Sequence, residues 1–397
     1  MRRSKIFLLI LLLSFFIPIC ANSFIGISDI HLNPLFSCEQ HKQRPCKVAV
    51  LLTHYPANQW PTLLSVADQG RLSYYDQDSN FTLTRLALQK AAQVARQQRI
   101  KFIILGGDLL THDFRKQFYD AYPKAKPKQF TQFVLNTFLL LRNECRHYFQ
   151  NIPVYFTLGN NDNIAGNYIV EPNGLLLHVL AKQWAPLLLN SKNERSFQKT
   201  FPKGGYYIIS LPNKTPLQFI NLDSVLFTNK SPTIQMKEAA QIQLIWLSST
   251  LYKIQTQHHI AWIAMHIPPA VNYQHHLNEN NWDIKEKSEL FWKKQDVRIL
   301  FSLLRKYHKL IQVILTGHLH IDGMQSIVLP EGTIINSFIP SISPNINTNP
   351  SFKLYQYDEK TGVLTDTQTF SISLHQKHTL SRQIRWETLK YSLDSLL

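Results

Sequence analysis

The chain has 397 residues, with 42 Lys and Arg against 26 Asp and Glu, which gives a net charge of +16. A chain of this length can bury a full hydrophobic core, and α/β folds of this size often form one unit. The basic residues form no long run, which argues against a dedicated nucleic-acid-binding arm. The charge is compatible with an ordinary soluble basic protein, and it also favours contact with anionic substrates or surfaces.

The first 23 residues have the three parts of a secretory signal peptide. A basic start is followed by the apolar run 6–19 and by small residues at Ala21-Asn22-Ser23. The apolar run is short for a membrane span, although an uncleaved anchor is the alternative. Cleavage near Ser23 removes three positive charges and leaves a chain of +13, because 16 − 3 = 13. We therefore expect a secreted, periplasmic or lumenal protein without a later transmembrane segment.

Three cysteines remain after the predicted signal peptide, namely Cys38, Cys46 and Cys145. Exported proteins reach compartments in which disulfides persist. Cys38 and Cys46 enclose a short polar loop, which favours their pairing. A bond from Cys145 to one of them is the alternative, because sequence does not fix disulfide connectivity.

Strand-like and helix-like segments alternate along the rest of the chain. Periodicity and turn residues predict strands at 24–27, 101–105, 153–158, 206–211, 217–222, 260–265 and 312–315, and short strands from 324 to about 370. Helices are predicted at 81–99, 130–149, 236–254, 296–308 and 386–396. Residues 36–78 lack clear periodicity and are predicted to form a long loop beside the functional site.

Five short polar stretches each follow a predicted strand. They are Ser28-Asp29-Ile30-His31, Gly106-Gly107-Asp108, Gly159-Asn160-Asn161-Asp162, His266, and Gly317-His318-Leu319-His320. Their candidate metal ligands are Asp29, His31, Asp108, Asn160, His266, His318 and His320. Two carboxylates, one amide and four imidazoles suit two borderline divalent metals that share one carboxylate.

The order of these stretches resembles the calcineurin-like metallophosphoesterase superfamily, over about residues 24–357. Ile339-Pro340-Ser341-Ile342-Ser343-Pro344, the Asn349-Pro350 pair with Lys353 and Tyr355, and His266-Ile267-Pro268-Pro269 resemble its acid sphingomyelinase-like phosphodiesterase branch. The resemblance implies an α/β fold, specifically a four-layer α-β-β-α sandwich. That two-sheet arrangement does not follow from periodicity alone.

The resemblance also implies two divalent metal ions, with zinc expected first and iron or manganese as alternatives. One ion would bind Asp29, His31, Asp108 and His320, and the other would bind Asp108, Asn160, His266 and His318. In this family pattern, hydroxide held between the two ions attacks phosphorus in line. Asp108 is therefore the expected shared ligand.

Two further residues are candidates for catalysis, His112 and Asn161. Many relatives place His directly after the ligand Asn, whereas this chain has Asn161, in a Gly-Asn-Asn-Asp form similar to endopolyphosphatases. An amide can donate a hydrogen bond to phosphate but cannot act as the acid. His112 follows the metal-binding loop and is the remaining candidate acid, with an unperturbed pKa of about 6.5. Asp162 is expected to hold its loop by hydrogen bonds.

The sequence thus predicts a secreted binuclear metal-dependent phosphoesterase that hydrolyses phosphodiesters or phosphoanhydrides, with lipid head groups or nucleotides as substrates. An endopolyphosphatase or an acid phosphatase or nucleotidase on the same site is the alternative. A catalytically silent binder of phosphate esters is a less favoured third hypothesis. The predicted divisions are a signal peptide (1–23), a catalytic domain (24–370) and a short C-terminal helical extension (371–397). No stable nucleic-acid complex is expected.

Overall fold

The computed structural model describes residues 22–39, 43–213, 215–269, 290–374, 380–381 and 384–392. Most of the predicted signal peptide lies outside these ranges, and the first described strand begins at Asn22. Among the described residues, no helix combines the length and the apolar character that a membrane crossing requires.

Twelve strands and ten α-helices are described. The strands are β1 (Asn22–Ile27), β2 (Ile103–Leu105), β3 (Val154–Phe156), β4 (Tyr207–Ser210), β5 (Leu217–Asn221), β6 (Ile260–Ala264), β7 (Ile311–Thr316), β8 (Gly323–Leu329), β9 (Gly332–Phe338), β10 (Ser351–Tyr357), β11 (Leu364–Ile372) and β12 (Trp386–Ser392). The helices are α1 (Phe36–Glu39), α2 (Lys47–His54), α3 (Trp60–Asp68), α4 (Phe81–Gln98), α5 (Phe114–Ala121), α6 (Pro127–Phe149), α7 (Leu175–Trp184), α8 (Ser191–Thr200), α9 (Ile234–Thr256) and α10 (Lys294–Lys306).

The strands form two six-stranded sheets. The first has the order β12-β11-β10-β1-β2-β3 and the second β4-β5-β6-β7-β9-β8. The run β1-β2-β3 is parallel in the first sheet, and β5-β6-β7-β9 is parallel in the second. Because parallel strands end at the same edge of a sheet, the loops that follow them are gathered together.

Large aromatic side chains fill the space between the sheets. The Phe24 ring of β1 lies 5.1 Å from the Trp262 ring of β6, and the Trp262 ring lies 4.9 Å from that of Tyr357 in β10. Helix α4 covers β1 and β10 on the outside of the first sheet, and α9 covers β6 on the second. This α-β-β-α layering confirms the predicted fold class.

Helix α4 illustrates how local sequence sets this packing. The Asn80 side chain caps it by accepting a hydrogen bond from the Leu83 amide. Leu83, Ala87 and Ala91 recur at helical spacing and are buried. The buried stripe packs the helix against the sheet. The segment that precedes the helix therefore ends beside the carboxyl edge of β1.

The prediction of a loop over 36–78 is wrong, because this segment contains α1, α2 and α3. Helix α2 is short and buries only Ala49 and Leu52, so its apolar period is too brief to be distinctive in sequence. A disulfide between Cys38 and Cys46 ties the start of the segment, and Cys145 is a buried free thiol. The favoured pairing is therefore confirmed.

The predicted C-terminal helix over 386–396 is also wrong over its described part. Trp386–Ser392 forms β12, which pairs antiparallel with β11. Without this strand, the outer N–H and C=O groups of β11 would form an unpaired sheet edge. The Trp386 ring also lies 5.5 Å from that of Phe352 in β10. The proposed boundary at 370 consequently falls inside β11, and residues 393–397 lie outside the described ranges.

Candidate metal centre

The seven predicted ligands lie at the carboxyl ends of parallel strands from both sheets. Asp29 and His31 follow β1, Asp108 follows β2, and Asn160 follows β3 in the first sheet. The second sheet contributes His266 after β6, and His318 and His320 after β7. The two edges face each other, so side chains that are up to 291 positions apart in sequence are brought together.

One group of side chains surrounds His31. Its Nε2 lies 3.1 Å from His320 Nε2, 3.5 Å from Asp108 Oδ2 and 3.9 Å from Asp29 Oδ1. His320 Nε2 in turn lies 3.3 Å from Asp29 Oδ1. Four potential donors therefore converge on one small volume.

A second group surrounds the other side of Asp108. His266 Nε2 lies 3.3 Å from Asp108 Oδ2, and ligand atoms of Asp108, His266 and His318 all lie within 4.8 Å of one another. Asp108 is thus the side chain that both groups share. Asn160 has its Nδ2 fixed by a 2.9 Å hydrogen bond to Asn167 Oδ1, while its Oδ1 is buried.

Five of the predicted ligands have left-handed backbone conformations. The φ angles are +48° at Asp29, +44° at His31, +49° at Asp108, +71° at His318 and +57° at His320. This conformation costs roughly 1–2 kcal/mol for a residue with a Cβ. Such strained residues cluster where function requires a particular side-chain direction.

Each sheet holds the donors of the other in place. His266 Nδ1 lies 2.8 Å from the Gly106 carbonyl oxygen, so its Nδ1–H is the donor and Nε2 points to the centre. The His318 amide donates to Asp29 Oδ1 at 3.1 Å. A Cβ on Gly107 would lie 2.7 Å from His266 Nδ1, so this close contact requires glycine.

For Asp29, His31 and His318, the electrostatics favour the protonation states that bind metal ions. Burial opposes ionisation of Asp29, but His320 and His266 outweigh it and lower the pKa of Asp29 to about 2. Burial lowers the pKa of His31 to about 4 and that of His318 to about 3, each helped by a neighbouring imidazole. Neutral imidazoles and ionised carboxylates are the forms that bind metal.

The pKa of His266 is shifted in the opposite direction from those of His31 and His318. Burial would lower its pKa, but the carboxylates of Asp108 and Asp29 raise it to about 10. Binding of a cation at His266 Nε2 would therefore release a proton, because the nitrogen lone pair is needed for the metal bond.

The residues fit a pair of divalent cations. The buried atoms Asn160 Oδ1 and His266 Nε2 have no hydrogen-bond partner among the described residues. Buried polar atoms without partners are uncommon and need an explanation such as an ion. The mixed imidazole, carboxylate and amide donors suit zinc, iron or manganese.

The two residues that follow Asn160 support the shared carboxylate and its loop. Asn161 donates from its backbone amide to Asp108 Oδ1 and from Nδ2 to Asp108 Oδ2, both at 2.8 Å. Asp162 accepts from the amides of Leu109, Leu110 and Gly159. The expectation that Asp162 holds its loop is therefore confirmed.

His112 lies beside the first group, and Asp78 fixes its orientation. The His112 ring stacks on that of His31 with centroids 3.9 Å apart. His112 Nδ1 lies 2.9 Å from Asp78 Oδ1. Burial alone would lower the pKa of His112, but the Asp78 carboxylate outweighs burial and raises it. Asp78 carries no recognisable signal in the sequence, because it lies at the end of a segment without a clear pattern.

The proline- and serine-containing segment supports both Asp29 and Asp78. Ser341 Oγ donates to the Asp29 carbonyl oxygen at 3.0 Å, and Ser343 Oγ donates to Asp78 Oδ1 at 3.1 Å. Further along, buried Lys353 forms an ion pair with Asp322, two residues beyond His320. These contacts give the segment a positioning role.

Comparison with known proteins agrees with this geometry. The family model of the calcineurin-like phosphoesterases matches residues 23–322. The chain therefore belongs to the calcineurin-like phosphoesterase family, and that membership makes it a metallophosphoesterase.

Curated relatives place the chain near the acid sphingomyelinase-like branch. It is 24% identical to "Sphingomyelinase phosphodiesterase C" of Dictyostelium discoideum over 96% of this chain and 80% of that protein. It is 23% identical to human "Acid sphingomyelinase-like phosphodiesterase 3b" over 92% of this chain and 74% of that protein. Bovine "Cyclic GMP-AMP phosphodiesterase SMPDL3A" is 25% identical over 66% of this chain and 56% of its own length.

Among solved structures, a dimetal phosphatase from Danio rerio is similar with a TM-score of 0.46 and 12% identity. That match covers 94% of this chain and 98% of the fish protein.

Proposed function

We propose that the protein is a binuclear metal-dependent phosphodiesterase. The observation that carries this proposal is the pair of donor groups that share Asp108, with two buried donor atoms, Asn160 Oδ1 and His266 Nε2, lacking hydrogen-bond partners among the described residues. The names of the curated relatives support a phosphodiester as the substrate class. Zinc is the first choice of metal, with iron or manganese as alternatives.

One ion is assigned to Asp29, His31, Asp108 and His320, and the other to Asp108, Asn160, His266 and His318. When bound, two such ions lower the pKa of a water molecule and offset the charge that develops on the phosphoryl oxygens. The protein's own contribution is to hold the carboxylates ionised, to orient the imidazoles from both sheets and to bury the site.

His112 is assigned the role of general acid. Asp78 holds its Nδ1, which leaves Nε2 as the nitrogen that gives a proton to the departing alkoxide oxygen. A raised pKa keeps His112 protonated over a wider pH range. Asn161 cannot replace this function, but its two hydrogen bonds to Asp108 fix the shared carboxylate.

The test is turnover of bis(p-nitrophenyl) phosphate and p-nitrophenyl phosphate by chelated and metal-reloaded protein. We expect zinc, manganese or iron to restore hydrolysis, with the diester preferred. A monoester preference would indicate a phosphatase instead. Full activity in the metal-free protein would contradict the proposal.

We also propose that the protein is exported. Support comes from the signal-like pattern of residues 1–23 and from the Cys38–Cys46 disulfide, since disulfides persist in oxidising compartments. Mass spectrometry of the mature N-terminus in the native host tests this, because an intact Met1 on protein retained inside the cell would contradict it.

A further inference from the structure

The loop that follows β3 holds the backbone of Asn160 from two directions. Asn163 Nδ2 and the Tyr168 amide both donate to the Asn160 carbonyl oxygen, each at 2.9 Å. Tyr168 has a φ angle of +62°, which is unusual for a bulky side chain. The loop therefore bends back over Asn160 despite backbone strain, and such strain persists where the surrounding contacts require it.

The same loop also holds the side chain of Asn160. Asn160 Nδ2 donates to Asn167 Oδ1 at 2.9 Å, whereas the buried Asn160 Oδ1 has no hydrogen-bond partner among the described residues. An asparagine amide has a donor on one side and an acceptor on the other, and only the oxygen can bind a cation. Because the Asn167 carbonyl oxygen accepts and cannot donate, it favours the orientation that leaves Asn160 Oδ1 for an ion.

A ring contact connects this loop to a second proposed ligand of the same ion. The Tyr168 ring lies 6.3 Å from that of His318 between centroids, with an interplanar angle of 88°. The loop therefore contacts Asn160 from the first sheet and His318 from the second. Over the described part of the chain, neither His31 nor His320 makes a hydrogen bond or a ring contact with residues 163–168. The contacts of the loop thus concern one ion site and not the other.

We propose that Asn167 is a positioning residue of the second ion, the one assigned to Asp108, Asn160, His266 and His318. It acts by orienting the Asn160 amide so that the oxygen, and not the nitrogen, is presented to the cation. The inference rests on the proposed function, because it names a residue that prepares one of the two ion sites assigned there.

The exposure of Asn167 determines what its removal would do. Asn160 is buried but Asn167 is exposed, so water would take the place of the Asn167 oxygen in a truncated variant. Water donates as readily as it accepts, and it would satisfy either orientation of the Asn160 amide. Truncation should therefore remove the preference for one orientation without leaving a buried polar group unpaired.

The test is a titration of chelated full-length protein with zinc against an indicator dye, which gives the affinity of each zinc equivalent. Asn167→Ala should weaken the equivalent that Asn160→Ala also weakens, by about tenfold, which is typical of losing a partner that orients a ligand. The other equivalent should be unchanged. Asn151→Ala makes the same substitution at an exposed position before β3 and should change neither affinity.

Two further variants separate orientation of the amide from stability of the loop. Asn167→Asp keeps an acceptor oxygen and removes the donor, so it should bind the second ion at least as tightly as the wild type does. In Asn160→Ala protein, Asn167→Ala should cause no further weakening, because no amide is left to orient. A carboxylate also attracts a cation through space, so the Asp and Ala variants should still differ in that background, but less than when Asn160 is present.

Two results would overturn the inference. One is an Asn167→Ala protein that binds both zinc equivalents as tightly as the wild type, or that weakens both equally. The other is a weakening that persists undiminished in Asn160→Ala protein, since Asn167 would then only stabilise its loop. A wild-type protein that binds fewer than two zinc equivalents would instead overturn the proposed function.

Discussion

The carboxylates and the amide of the metal centre come from the first sheet, whereas the second sheet contributes imidazoles alone. The first sheet supplies Asp29, His31, Asp108 and Asn160, and the second supplies His266, His318 and His320. Asp29, His31 and Asp108 of the first sheet already lie close enough to form a donor group, whereas each proposed set of four ligands draws from both sheets. The complete site therefore depends on the packing of one sheet against the other and on Asp108, which belongs to both groups.

The largest effect should follow from removing the side chain that both groups share. We expect Asp108→Ala to lose both metal ions and to lower diester hydrolysis by at least about 10³-fold, because two ions each contribute several kcal/mol. Elemental analysis and kinetics measure this. Retention of two metal equivalents would contradict the role of Asp108, and a circular dichroism spectrum like that of the wild type would exclude misfolding.

The next effect concerns His112, which lies beside the first group without being assigned to a metal. His112→Ala should slow alkyl phosphodiesters by about 100-fold and nitrophenyl esters much less, because only poor leaving groups need the proton. Asp78→Asn, which removes the anion that holds Nδ1, should reproduce the same selectivity more weakly. Partial rescue on alkyl esters is expected from Asn161→His in the His112→Ala background.

Metal content decides between the two roles open to His112. Loss of metal in His112→Ala would contradict the acid assignment and make His112 a ligand, which its proximity to His31 and His320 would permit. Equal slowing of alkyl and nitrophenyl esters would instead indicate that His112 only orients phosphate.

A smaller effect should distinguish the two proposed metal ions from each other. Asn160→Ala, in the first sheet, should weaken only the second ion, by at least about tenfold in affinity, because a neutral amide oxygen is lost while Asp108, His266 and His318 remain. Competition titration with a zinc indicator dye measures each equivalent. Equal weakening of both ions would show that the two sites do not separate as assigned.

The sequence was informative about the centre because every donor follows an apolar run that becomes a strand. Asp108 after β2 and His266 after β6 could be placed at strand ends from local pattern alone. Their pairing across two sheets came from family resemblance, since periodicity does not report which strands become neighbours. Asp78 has no local signal in the sequence, because its contact with His112 is made only in the folded chain.

The difference between local sequence pattern and contacts made only in the folded chain also explains the two wrong predictions. The short helices between 36 and 78 bury few side chains each, so their periodicity is weak. The sequence predicts a helix over 386–396, but Trp386–Ser392 pairs with the edge of β11, and this pairing determines its conformation. Long-range pairing overrides local propensity at a sheet edge.

The smallest effect on chemistry should come from the disulfide, which contributes no atom to either donor group. The double substitution Cys38→Ser and Cys46→Ser should lower the free energy of unfolding by about 2–3 kcal/mol and leave metal content unchanged. Denaturant unfolding measures the loss. Peptide mapping without reduction provides the check, and free thiols at both positions in exported wild-type protein would contradict the pairing.

The most direct test of the shared-carboxylate centre is anomalous X-ray diffraction from crystals loaded with zinc. Two anomalous peaks should appear about 3.5–4 Å apart, as in other two-metal sites. Asp108 should lie between them, with Asn160 and His318 on one ion and His31 and His320 on the other. A single peak, or two peaks that do not share Asp108, would contradict it.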